Sequence, residues 1–472
     1  MSDRFARVRG RAACTISSAG LLVAVAACGG LQLGSRSPAS PKPQQGQSAP
    51  PAAAPATQSA TVDPVAFMRE AGLIAQGSPL PFTGALHFVA GSRPDSVYTL
   101  VSLSFAASAL TFRRDGDQHR ADYRVTITHR RNAPLVDATE TVRVATLRET
   151  ARTDESVVFQ QMLTLPPGRD TLSVSVRDEY SGKAATSTIS VNVPALADGS
   201  LTPPIAYYEV SPRTSRDSVL RIVSNPHAMA LYGRDTTVDV YLEAYGPPPQ
   251  SVTLALQIDH VTVWSASVGP HDRGNGLSTL AAKVPVAPIG LGSARIVATR
   301  DGSPDTVSTP VFVALSEDIP ATSFDDMVSH LKYFVPDAKL RELADVAPAA
   351  RGTTWARFYK ETDATPATPD NEALRRYLTL MRDANARFSD SGIPGWKTDR
   401  GMVWLMLGPY DQAIEPVPND PTQRGRVLVW EYRSAGISVE FVRAAGNDPW
   451  RLTQASEADV RNAVRRMGGG SH

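Results

Sequence analysis

From about Ser96 to Val193 apolar and polar residues alternate with period two. Val97-Tyr98-Thr99-Leu100-Val101-Ser102-Leu103 predicts a strand, as do Tyr123–Thr128, Thr141–Ala145, Val157–Leu165, Thr171–Arg177 and Thr186–Val193. Asp115-Gly116-Asp117 and Pro166-Pro167-Gly168 mark turns between them, and Asp178 with Tyr180-Ser181-Gly182 predicts a hairpin. Short strands at this spacing predict an antiparallel sandwich.

The theme repeats from about Ile205 to Leu315. Predicted strands are Ser218–Val223, Thr236–Ala244, Val252–Ile258, Val261–Val268, Leu277–Val286, Ser293–Thr299 and Val311–Leu315. Both segments end alike, with Pro167-Gly168 before Thr171-Leu172-Ser173-Val174 and Ile289-Gly290 before Ala294-Arg295-Ile296-Val297. The expectation is two tandem immunoglobulin-like β-sandwiches, residues 62–197 and 198–318. Such modules either bind ligands or space other domains, because fold alone does not give function.

After Ile319 the period changes. Ser323 with Asp326 predicts a capped helix through Phe334, and a second helix is expected over Asp337–Ala344. A longer one runs from Asn371 to Phe388, with Leu374, Tyr377, Leu378, Met381, Ala384 and Phe388 on one face. Gly392 and Pro394 stop it. The apolar run Met402–Leu407 reads as a strand ending at Gly408-Pro409. Val427–Tyr432, Ile437–Val442 and Trp450–Thr453 read as three more, and a final helix starts at Ser456. Residues 319–467 are thus expected to form an α+β domain with a small antiparallel sheet, followed by a short tail, 468–472.

Within this region Gly395-Trp396-Lys397-Thr398-Asp399 resembles the signature of the GWxTD-domain proteins, a group of bacterial envelope proteins. The likeness extends upstream to Phe358-Tyr359, Asp363, Pro366, Thr368, Asn371-Glu372, Ala384-Asn385 and Phe388. Downstream it takes in Arg400-Gly401, Gly408-Pro409, Asp411, Trp430 and Tyr432. Tyr359 stands where such proteins often carry tryptophan, and Tyr410-Asp411 where they often carry Pro-Asp. The resemblance covers roughly the last third of the chain. It implies location and architecture more than chemistry.

The amino terminus adds an address. Arg4, Arg7, Arg9 and Arg11 precede an apolar stretch from Ile16 to Ala27, the pattern of an export signal. That stretch is shorter than the ~20 residues a membrane span needs. It ends in Val25-Ala26-Ala27-Cys28, which resembles a lipobox. Residues 1–27 are therefore expected to be a lipoprotein signal peptide, and Cys28 the lipid-bearing first residue of the mature chain. Gly29, in place of an aspartate, favours the outer membrane, facing the periplasm. Residues 28–61, rich in Pro, Ala, Ser and Gln, read as a semi-extended tether.

Composition narrows the chemistry. The 48 basic and 47 acidic residues nearly cancel and are interspersed, so no nucleic-acid partner is expected. The two cysteines, Cys14 and Cys28, leave none beyond the tether for a disulfide, thiolate or metal site. The eight histidines are dispersed, and no nucleophile elbow or phosphate-binding glycine loop occurs. Neither cofactor nor metal is expected.

The motif itself has two readings. In one, Trp396 fills a gap between the long helix and the sheet, and Thr398 or Asp399 accepts backbone N–H bonds in a tight turn. Arg400 then pairs with Asp411 or Glu431, while Gly401 and Gly408 supply turn geometry. In the other, Asp399 and Arg400 face a cleft with Asp363, Asn385 and Asp411. There the arginine would clamp an anion, or Asp399 and a second carboxylate would hydrolyse glycans. The expectation adopted is a non-enzymatic envelope lipoprotein. Its sandwiches form an arm, and its C-terminal domain docks a protein or cell-wall glycan through a surface around Gly395, Trp396, Thr398, Asp399 and Arg400. A glycan hydrolase, or a carbohydrate-binding module on the sandwiches, are the alternatives.

Overall fold

The structure is a computed structural model. It describes residues 63–129, 133–146, 156–316, 319, 322–368, 370–390, 392–416, 425–444 and 448–468. The expected signal peptide, Cys28, the expected tether and residues 469–472 of the expected tail lie outside the described residues. The chain opens with helix α1 (Pro64–Glu70), capped by the Asp63 carboxylate, which accepts the Val65 N–H. No predicted element covers it.

Two sheets form the first β unit. Sheet A runs Ile74–Gln76, Phe82–Ala90, Val97–Ala106, Ser156–Leu165 in spatial order. Sheet B holds Arg113–Asp115, Gln118–His129, Gly168–Asp178 and Ala184–Val193, with Ala133–Val144 paired to its long strand. Alternation dictates the packing. Val125 and Ile127 lie opposite Val176 and Val174, and all four are buried against Val101, Leu103 and Phe105 of sheet A. The expected hairpin is present, with Gly182 in the left-handed region at its turn. Buried Asp178 accepts from the Thr111 and Tyr180 amides and the Ser181 hydroxyl, which satisfies its charge.

The second β unit repeats the plan. Sheet C runs Arg221–Ser224, Ile205–Ser211, Thr237–Tyr245, Leu277–Pro285, His271–Asp272. Sheet D runs Met229–Leu231, Thr306–Ala314, Gly292–Arg300, Val252–Ile258, Val261–Val268. Their inward faces share one core, including Val240, Leu242, Leu254, Leu256 and Ile296.

The two units do not follow one another as separate beads. The strand Val97–Ala106 has buried residues on both faces. One face fills the first core. The other brings Leu100, with Val89 of the neighbouring strand, against Ile205, Ile222 and Tyr241 of sheet C and the adjoining Leu220. Gln160 of sheet A bonds both the Ile222 carbonyl and the Ser224 amide at 2.8 and 2.7 Å. That satisfies an otherwise open sheet edge. The four sheets therefore stack in the order B, A, C, D.

The C-terminal part holds α2 (Phe324–Ser329), α3 (Asp337–Ala344), α4 (Arg351–Glu361), α5 (Glu372–Phe388), α6 (Asp399–Leu407) and α7 (Gln454–Gly468). Sheet E runs Gln412–Ile414, Arg426–Tyr432, Ile437–Arg443, Arg451–Leu452, all antiparallel. Ser323 caps α2 as expected, but that helix ends at Ser329 rather than Phe334. The α3 bounds and the α5 face match expectation, with Asn371 as the N-cap of α5. One prediction is overturned: Met402–Leu407 is the body of α6, not a strand. Its unbroken apolar run carries no period, and such runs suit a buried helix as well as a strand. Val403, Trp404 and Leu405 are all buried, and the Thr398 cap fixes the helical start.

The core of the second β unit continues into these helices. Tyr232, after Met229–Leu231, meets Trp355 and Tyr359 of α4 edge-on at 5.8 and 5.2 Å. Arg351 pairs with Asp259 at 3.0 Å.

Candidate functional site

The motif lies where α5, α6 and sheet E converge. Gly395, Trp396 and Lys397 make one 3₁₀ turn. Thr398 then accepts the Gly401 N–H at 3.1 Å and donates to the Gly395 carbonyl at 2.7 Å, so it caps α6 and ties the turn to it. The two glycines answer to space, not to a turn conformation. A Cβ on Gly395 would lie 1.9 Å from the Ala384 carbonyl oxygen of α5, and one on Gly401 only 1.8 Å from the Gly395 oxygen. Three backbones thus stack at a distance that excludes any side chain. Gly408 does supply conformation: it ends α6 at φ +81°.

Trp396 is buried at 6 % exposure. Its amide donates to Asn385 Oδ1 at 3.1 Å, which fastens the turn to α5. The ring rests on His330, just after α2, with centroids 4.9 Å apart. Burial lowers the His330 pKa below its ordinary value. The aromatic residues between α5 and the sheet are others. Trp430, 1 % exposed, contacts Phe388, Tyr410 and Phe441, and Phe388 also meets Trp404.

The carboxylates are dispersed over different turns. Asp399 accepts the Leu452 amide at 2.8 Å, joining α6 to the last strand of sheet E. Asp363 accepts the Thr365 amide at 2.8 Å, and Asp411 the Arg433 amide at 2.7 Å. Each is a side chain closing a local turn or crossing, as short acids commonly do. An acid and base acting on a glycosidic bond need two carboxyl groups flanking one opening. These three instead hold backbone at three places.

Arg400 departs from the expected pairing with Asp411 or Glu431. It lies 3.8 Å from Asp390, which also meets Arg443 at 3.3 Å. Both guanidinium groups lie near the Trp450 ring, at 5.9 and 4.7 Å, and Arg400 also covers Phe388. All three charged side chains are less than one-fifth exposed. Burial, reinforced by Arg443 against the pull of Asp390, lowers the Arg400 pKa. Sequence reasoning missed Asp390, Arg443 and Trp450, since no spacing links a post-helix acid to a strand arginine 53 residues on. Among the described residues no cluster of three or more His, Cys, Asp or Glu could hold a metal ion. No helix there is long and apolar enough to cross a membrane.

Fold and site together define a β-rich protein closed by an α+β domain, with a Gly-Trp-x-Thr-Asp turn at that domain's centre. The sequence model of the GWxTD domain matches residues 300–450. The chain therefore carries this domain, and the match runs from the last hairpin of sheet D to Trp450. No curated protein matches the chain.

Proposed function

We propose that the chain is a bacterial cell-envelope lipoprotein. It is cut before Cys28, lipidated there and held at the outer membrane facing the periplasm. Its β units are immunoglobulin-like sandwiches that carry the GWxTD domain, which docks a protein or cell-wall partner without performing a reaction. The observation that weighs against catalysis is the use of the motif's polar groups. Thr398, Asp399 and Asn385 are all bonded to backbone that joins elements of the fold. The address rests on the basic start, the short apolar stretch and Val25-Ala26-Ala27-Cys28.

Metabolic labelling with a lipid precursor tests the anchor. Wild type is expected to incorporate the label and Cys28→Ala to lose it; a labelled Cys28→Ala chain sinks the reading. Crosslinking from native membranes tests docking. Wild type should return a defined set of envelope partners, and folded Asp399→Ala should return less of it. Equal recovery from both defeats the role given to the motif.

A further inference from the structure

A cleft of about 280 Å³ opens where the second β unit meets α4 and α5. Its walls are set by covalent detail. Gly233 has φ +87°, and a Cβ there would come within 2.8 Å of the Tyr359 hydroxyl, so only glycine lets this loop approach α4. The Tyr359 hydroxyl in turn accepts the Asn371 amide at 3.0 Å. Asn371, 2 % exposed, holds the Tyr359 carbonyl and caps α5 through the Leu374 amide. A site with walls fixed in this way avoids ordering costs on binding.

The lining combines leucines, several donors and one carboxylate, that of Asp370. Leu374 and Leu378 of α5 line it together with Leu231 and Leu315. The Ser316 hydroxyl lines the same space, buried and without a hydrogen-bond partner among the described residues. Tyr359 accepts a bond through its oxygen, which leaves its own hydrogen for a ligand. Arg375 stands at the rim on α5 and binds Asp370 through one nitrogen at 2.8 Å, leaving the rest of a five-donor fork. Such an array calls for an acceptor-rich group next to an apolar one. The volume sits at the small end of ligand pockets, which suits one or two residues rather than a glycan chain.

We infer that this cleft takes the carboxyl-terminal residue of a peptide partner. Its apolar side chain lies on Leu374 and Leu378, and its carboxylate meets Arg375 and the two hydroxyls. The inference rests on the docking reading of the C-terminal domain and moves the contact away from the motif.

The test titrates the full chain by calorimetry with N-acetyl-Ala-Ala-Leu, as the free acid and as the carboxyl amide. The acid is expected to bind saturably and the amide about tenfold more weakly, the effect of losing a charge-assisted bond. Arg375→Ala, at an exposed position, should bring the acid down to the amide, and Gly233→Val should abolish both. Equal binding of acid and amide by folded wild type overturns the inference. So does no binding of either at about 10 mM, or occupation by a chitin disaccharide instead. A positive titration with no partners recovered from membranes would defeat the docking reading alone; the reverse pattern would defeat only the cleft.

Discussion

Arg213 and Glu243 form an ion pair, 3.0 Å apart, in which neither side chain has any solvent exposure. It lies where the first β unit meets the second. Arg213 also donates to the Ala90 carbonyl of sheet A at 2.9 Å. Glu243 accepts from the hydroxyls of Tyr241 and Tyr245, and Tyr245 takes the Ala90 amide. A buried charge is tolerable only when paired and hydrogen-bonded in this way.

Removing one partner strands the other. Glu243→Ala should lower unfolding free energy by about 3–5 kcal/mol, read from urea denaturation. The double variant Arg213→Met with Glu243→Leu should recover much of that loss. A single variant that unfolds like wild type would show that water reaches the pair.

His87 predicts a pH dependence. It sits opposite Leu100 on the face of sheet A that meets sheet C. Burial pushes its pKa down to about 4 from 6.5. The unfolded chain therefore takes up this proton first as pH falls. The stability is fully present above pH 6.5 and is lost on the way to 4, about 3 kcal/mol in all. Unfolding at pH 7 and 4.5 should show a loss that is smaller in His87→Leu, which keeps only the part due to the other buried histidines, His227 and His330. Identical slopes in the two proteins would remove His87 from the account.

Gly401→Ala should disrupt the motif more than its size suggests. The added carbon would lie within bonding distance of the Gly395 carbonyl oxygen, so α6 must shift. Overpacking of this kind costs about 1–3 kcal/mol or more. Loss of near-ultraviolet ellipticity from Trp396 and Trp404 should accompany it. Unchanged ellipticity and melting temperature would mean the three backbones are not so close.

Thr398→Ala removes one helix cap and should cost about 1 kcal/mol. Thr398→Ser keeps the oxygen and should restore most of it. Equal loss in both would assign the threonine's value to its methyl group instead of its hydroxyl.

Legibility in the sequence followed solvent. Val252–Ile258 and Val261–Val268 were read to the residue, because one face of each pattern is polar. Phe82–Ala90 was not read, since both its faces are covered and no alternation survives. The helix α4 also escaped. It begins Arg351-Gly352-Thr353-Thr354, without a side-chain cap and with poor helix formers, and tertiary contact supplies what propensity lacks. The site divides likewise. The turn at Gly408, the bonds of Thr398 and Asp399 to backbone N–H groups and the burial of Trp396 were within reach of local rules; the backbone contacts that demand Gly395 and Gly401, and the His330 ring under Trp396, were not. The Arg400–Asp390–Arg443 cluster was not, because it exists only once α5, α6 and sheet E have met.

Sheet A has no free face, and synthesis turns that geometry into timing. The strands of the first β unit are complete at Val193, whereas Tyr241, the last sheet C residue packed on Val89 and Leu100, follows only 48 residues later. At roughly 5–20 residues per second the delay is on the order of 2–10 s. For that interval Val89 and Leu100 form part of a sticky strip on a nascent unit that is otherwise able to close. On the export route proposed above, the same interval would recur on the far side of the membrane, where a holding chaperone would find its substrate.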